Sequence, residues 1–314
     1  MMKKLLSIML CAVALTGCTT AQGQQPKQPE TTAQVEPADE TVTIETTDPP
    51  EIIIETEQPA AIVEAPEMES YFQGIRGCAV FYGPENNTYT VYNPELWEYE
   101  SSPCSTFKII SSFMGFENGL VDIDNSTRSW DGEAYWNKEW NRDIDIREAF
   151  RVSCIWYFRD LIDDLGSETV QSELNRLQYG NCDISDWAGT LNTNNNNLRL
   201  RGFWVESSLK VSPRQQVEVL NRIFGEDSIA SAETRDNLKS IMLTDLGTDE
   251  LKIYGKTGWG VKDGRNLDAW FVGMYEENSH TTYFAIRLDD PDNKDAISTK
   301  AREIAIDLII KFNK

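Results

Sequence analysis

Strand-type sequence stands at both ends of the patterned part of this chain, with helix-type sequence between. Residues 78–82 and 88–93 are runs of aromatic and β-branched residues joined by Gly83-Pro84-Glu85-Asn86-Asn87, turn chemistry that fits a hairpin. Strand patterns return only at 252–256, 269–275 and 283–288. Between them, helical spacing predicts helices over 105–117, 146–165, 167–177, 213–224 and 231–242, with a last amphipathic helix over 299–312. A sheet assembled from such distant pieces implies an α+β fold: an antiparallel sheet drawn from both chain ends and flanked by a helical region. With 314 residues, 40% of them apolar, the chain can bury a sizeable core.

The N-terminus has a different character. Lys3 and Lys4 precede an apolar run over 5–15 that ends in Leu15-Thr16-Gly17-Cys18, the layout of a bacterial export signal. The residues before Cys18 resemble a lipobox, which implies cleavage of 1–17 and lipidation of Cys18. The mature protein is then expected outside the cytoplasmic membrane of a bacterium, held to it by a lipid anchor. No other stretch is long and apolar enough to span a bilayer. Residues 19–69 carry twelve acids, one lysine and seven of the twelve prolines, so 18–69 reads as a disordered tether and 70–314 as the catalytic domain.

The formal charge of −22 disfavours nucleic acid as a partner. Cys78, Cys104, Cys154 and Cys182 remain in the folded part, and their spacing leaves three full pairings and free thiols equally open. With no C-x-x-C pair and one histidine, no metal site is expected.

Ser105-Thr106-Phe107-Lys108 places a hydroxyl and an amine one helical turn apart, on the same side and able to share a proton. Four residues prove little, because Ser207-Ser208-Leu209-Lys210 repeats the pattern. What distinguishes Ser105 is the apolar run behind it, Phe107, Ile109, Ile110, Phe113 and Met114, which would desolvate Lys108 and favour its neutral form. Lys256-Thr257-Gly258 follows a strand pattern; on an edge strand beside the nucleophile it can bind a carboxylate while a nearby backbone N–H polarises a carbonyl. Ser153 sits where the helical pattern begun at Ile146 breaks, and its hydroxyl can relay a proton.

Taken in order, Ser105-x-x-Lys108, Ser153-x-Ile155, Tyr179-Gly180-Asn181, Phe203-Trp204-x-Glu206 and Lys256-Thr257-Gly258-Trp259-Gly260 resemble a class D, oxacillinase-type serine β-lactamase over residues 75–312. Trp130-Asp131-Gly132 and the run 103–108 add to the likeness. The resemblance implies a β-lactamase/penicillin-binding fold of the transpeptidase type and hydrolysis of the β-lactam amide through an acyl-enzyme on Ser105. Lys108 would be the base, carboxylated by carbon dioxide or bicarbonate; no other cofactor is implied. Ser153 would be the relay and Trp204 the indole that donates to the modified lysine. Ile155, Lys256, Thr257, Gly258 and Trp259 would contact substrate.

The sequence departs from that family at three places. Ile155 stands for a valine, Ser207-Ser208 follows Glu206 where a glycine is expected, and the carboxylate-binding arginine is missing from 295–300, leaving Lys300, Arg302, Arg265, or Lys256 with Thr257 as candidates. A histidine-based hydrolase is disfavoured because His280 lies in the polar segment 276–280. Two readings keep the acylated serine: a β-lactam sensor or inert penicillin-binding lipoprotein, and a peptidoglycan transpeptidase. Substrate spectrum and oligomeric state are open.

Overall fold

The computed structural model describes residues 59–192 and 195–312; the export signal, Cys18 and the tether up to residue 58 lie outside them. The last stretch assigned to the tether is folded. Ala61–Glu64 forms β1, and a 3-10 turn at Pro66–Met68 leads into the short α1, Glu69–Phe72. Ala65, Met68 and Phe72 are buried, so the domain starts some nine residues before the expected boundary at 70. A few apolar residues in an acidic, proline-rich stretch carry too weak a pattern to show this.

The remaining strands are β2 (Gly77–Gly83), β3 (Thr88–Tyr92), β4 (Leu251–Lys262), β5 (Arg265–Glu277) and β6 (His280–Leu288). They form one six-stranded sheet in the order β1-β3-β2-β6-β5-β4. The seam between the two ends of the chain is β2 against β6, from Gly77 opposite Leu288 to Tyr82 opposite Tyr283. Pairing is antiparallel throughout except for β1, which runs parallel to β3. β4 is an edge.

The helices are α2 (Phe107–Glu117), α3 (Ile146–Arg151), α4 (Ile155–Leu177), α5 (Pro213–Phe224), α6 (Ala232–Met242) and α7 (Ser298–Phe312). Both faces of the sheet are covered, and the period-2 alternation of β5 feeds two cores. Trp270, Val272 and Met274 pack with the helical region, while Ala269, Phe271 and Tyr275 pack with α1 and α7. This is why β5 reads as an unbroken apolar run rather than an alternating one. The expected break in the helix begun at Ile146 falls at 152–154, and Gly166, at φ 76° and ψ 156°, is non-helical and parts α4 into two helical segments where the sequence set the boundary between 146–165 and 167–177.

Candidate active site

Ser105 lies in a 3-10 turn, Cys104–Thr106, that opens directly into α2. Cys104 before it holds φ 49°, a left-handed conformation that costs a non-glycine residue energy and turns the chain sharply at the nucleophile. Lys108, one turn on, is 1% exposed, and its Nζ donates to Ser105 Oγ at 3.0 Å. The amine also lies 5.3 Å from the centre of the Phe158 ring. Burial lowers its pKa to about 8, against a smaller opposing influence of the Cys154 and Cys104 thiols. About a tenth of such an amine is neutral at pH 7, enough to accept the serine proton.

Lys256-Thr257-Gly258 does not follow a strand but lies inside one, because β4 runs on to Lys262. Lys256 is buried; its Nζ donates to the Thr257 carbonyl at 3.2 Å and lies 5.7 Å from the Phe150 ring centre. Its pKa falls well below the ordinary lysine value, first through burial and then through the charge of Lys108. Gly258 makes the close approach possible: a Cβ there would lie 2.8 Å from the Pro103 carbonyl oxygen and 2.9 Å from Thr106 Cγ2. Trp259 is half exposed, with its indole N–H on Asn266 Oδ1 at 3.0 Å.

Ser153 occupies the turn between α3 and α4 at φ 57°. Its N–H donates to the Phe150 carbonyl at 3.2 Å, and the Cys154 N–H donates to that of Ala149 at 2.8 Å. Trp140 fixes the turn from outside, its indole N–H donating to the Val152 carbonyl at 3.0 Å, while the Trp156 indole donates to the Trp140 carbonyl at 3.0 Å. Cys154 and Lys108 influence each other's pKa, which places this turn on the lysine pocket. Ile155 is the first residue of α4.

The Trp204 ring stacks on Phe107, with centroids 5.5 Å apart, and meets Phe203 edge-on. The contact of Trp204 with the nucleophile turn is through its backbone, whose carbonyl accepts from the Cys104 N–H and the Ser102 hydroxyl, both at 3.0 Å. Tyr179 supports the same helix from another side, its ring 5.8 Å from that of Phe107.

The second S-x-x-K is structural. Ser207 Oγ donates to Asp186 at 2.5 Å, and the same carboxylate takes the N–H groups of Thr190 and Leu191, which hold the 186–192 loop. In place of the expected glycine, Glu206 itself adopts the left-handed conformation at φ 53°. The four cysteines of the described domain are free thiols.

A cavity of about 590 Å³ opens beside β4, lined among others by Lys256, Thr257, Phe150, Arg151 and Arg302. Neither Ser105 nor Lys108 is among its lining residues. Of the candidate cations, Lys300 is engaged by Gln73 and Glu303 and Arg265 by Asp292, and Arg302 on α7 lines this cavity with Lys256 and Thr257. Sequence reading had no means to rank these three, since only the seating of α7 against the sheet decides which one faces the cavity.

The model of the penicillin binding protein transpeptidase domain matches residues 77–309. The chain is 33% identical over 245 residues to the methicillin resistance MecR1 protein of Staphylococcus aureus, covering 76% of this chain and 38% of that protein. It thus spans little more than a third of that relative's length. It is 32% identical over 198 residues to β-lactamase OXA-19 of Pseudomonas aeruginosa, covering 62% of this chain and 70% of that one. Among solved structures, the C-terminal domain of the Bacillus licheniformis BlaR penicillin-receptor superposes with a TM-score of 0.70 at 25% identity, covering 81% of this chain and 97% of that one. With a serine–lysine pair on a buried helix, a K-T-G edge strand pressed against it and a family match across nearly the whole described domain, the chain belongs to the penicillin-binding transpeptidase family, in the branch of the class D β-lactamases and BlaR-type receptors.

Proposed function

We propose that this protein is an exported serine hydrolase that opens the β-lactam ring of penicillin-type antibiotics, tethered to the outside of a bacterial membrane through lipidated Cys18. The observation that carries the reading is the buried Lys108 amine, 3.0 Å from Ser105 Oγ and with its pKa lowered to about 8. Ser105 Oγ adds to the lactam carbonyl as its proton passes to Lys108. The C–N bond breaks, and the leaving nitrogen takes a proton relayed through Ser153. Water then cleaves the Ser105 ester and regenerates the hydroxyl. Thr257, Lys256 and Arg302 bind the substrate carboxylate, Gly258 and Trp259 line the β4 side, and Ile155 the opposite one.

Lys108 is further proposed to work as a carbamate, formed when its neutral amine adds carbon dioxide and releases one proton; the anion is then the base for both steps. The lowered pKa supports this, because only the free amine reacts. A buried anion needs hydrogen-bond donors, and the Trp204 indole N–H is proposed to supply one.

A second reading is an acylated receptor, which is favoured by the likeness to the BlaR domain, named a penicillin receptor. Intact mass spectrometry during turnover of a penicillin separates the two. Repeated hydrolysis with a transient Ser105 adduct is expected, and Lys108→Ala should leave the adduct persistent. One stoichiometric adduct without turnover replaces the hydrolase with the receptor, and no adduct at all ends both readings.

A further inference from the structure

Three segments converge on the back of the nucleophile turn, and Glu206 touches all of them. Its backbone sits at φ 53°, outside the ordinary range for a residue with a side chain. Its N–H donates to Ser102 Oγ at 2.8 Å, and that hydroxyl donates to the Trp204 carbonyl, the acceptor that also holds the Cys104 N–H. The backbone of Glu206 is thereby fastened to the residues leading into Ser105. Its carboxylate reaches the other way and accepts the N–H of Val261. Val261 stands at the register shift between Gly260 and Val261, where β5 carries one extra residue, Leu267, opposite β4. Gly260 leaves no slack there: a Cβ would lie 3.1 Å from Cys104 Sγ and 3.3 Å from Glu206 Oε1.

We infer that Glu206 is a positioning residue that clamps β4, at its register shift against β5, to the nucleophile turn and so sets the gap in which the carbonyl under attack must lie. The inference rests on acylation at Ser105. β4 is an edge strand whose outer side is bridged only near its start, by Leu243 opposite Tyr254, so the far end of the strand depends on contacts across the gap for its distance from Ser105. The clamp is the bond from the Val261 N–H to a carboxylate oxygen of Glu206, which an oxygen makes whether or not it is charged. An amide oxygen in its place preserves the clamp, and a methyl group does not.

The test is the acylation of the full chain by a penicillin, with noncovalent affinity and acylation rate constant separated by stopped flow and the folded fraction checked by thermal melting. Glu206→Gln should acylate within about threefold of the unaltered protein. Glu206→Ala should acylate on the order of tenfold or more slowly, with noncovalent affinity nearly unchanged, as expected for a small misplacement of reacting groups. Val261→Pro removes the donor instead of the acceptor and should reproduce that loss, which keeps the clamp testable if the alanine variant does not fold. Normal acylation by Glu206→Ala, a glutamine variant as slow as the alanine one, or a loss confined to affinity would each overturn the clamp. If the unaltered protein takes no adduct, the hydrolase and receptor readings fail, and the clamp with them; if it does, a failure belongs to the clamp alone.

Discussion

Gly258 lies against Pro103 so closely that a single added methyl group at 258 would sit 2.8 Å from the Pro103 carbonyl oxygen. The obstacle is backbone, which cannot swing aside, so Gly258→Ala must push β4 away from the nucleophile turn. We expect about 1–3 kcal/mol of lost stability and, because the gap between strand and serine widens, an acylation rate lower by roughly 10- to 100-fold. Chemical denaturation and single-turnover acylation read the two effects separately. A variant with unchanged acylation would show that the contact does not govern the site.

The pH dependence follows from Lys108. With its pKa lowered to about 8, acylation by the unmodified amine should rise with pH and level off above about 8. The same shift acts on stability with a definite sign. An unfolded lysine titrates near 10.5, so the buried ammonium penalises the fold fully below about pH 8, and the penalty fades as pH rises towards 10.5. A shift of this size corresponds to ~3 kcal/mol, so Lys108→Met should melt higher than the unaltered protein at pH 7 and lose that advantage at high pH. Equal melting temperatures at both pH values would contradict the burial penalty.

If Lys108 carries a carbamate, labelled carbon dioxide should give a carbamate carbon resonance that disappears in Lys108→Ala, and added bicarbonate should raise turnover. Full activity in bicarbonate-depleted buffer, with no resonance, would leave the free amine as the base.

Arg302 is expected to hold the substrate carboxylate from the α7 side of the cavity. Arg302→Ala should raise KM by about 10- to 100-fold with kcat largely kept, the value of a charge-assisted hydrogen bond lost from uniform binding. Lys300→Ala and Arg265→Ala, whose side chains are engaged by Gln73 with Glu303 and by Asp292, should leave KM alone. Steady-state kinetics on the three variants would rule out Arg302 if its KM did not move.

Much of the fold was open to reading because its signals are local. The pattern at 213–224 is the whole of α5, with Pro213 in its first turn and a reciprocal Ser212–Gln215 cap, a start signal visible in four residues. The turn at 83–87 and the strands on either side of it are likewise short-range features. β1 escaped notice because four residues, all exposed, form a strand only where β3 offers a partner. The length of β4 was underestimated since Gly255, Gly258 and Gly260 look like a turn, whereas Phe271 and the Pro103 backbone leave no room for a Cβ at Gly255 and Gly258, and the Cys104 and Glu206 side chains crowd Gly260.

By itself the sequence determined the class of each main element and the order of the chemical groups along the chain: a serine and a lysine one turn apart, a serine at a helix break, and a K-T-G run near the end. Periodicity and turn chemistry act over a few residues, so they survive in one dimension. The tertiary structure decided which groups meet. It set Lys256 close enough to Lys108 to be felt by it, stacked Trp204 on Phe107, occupied Ser207 with Asp186, and left all four described cysteines free. Those outcomes depend on a sheet that brings residues 103–108 and 256–261 together across some 150 positions, and no local pattern encodes a distance of that kind.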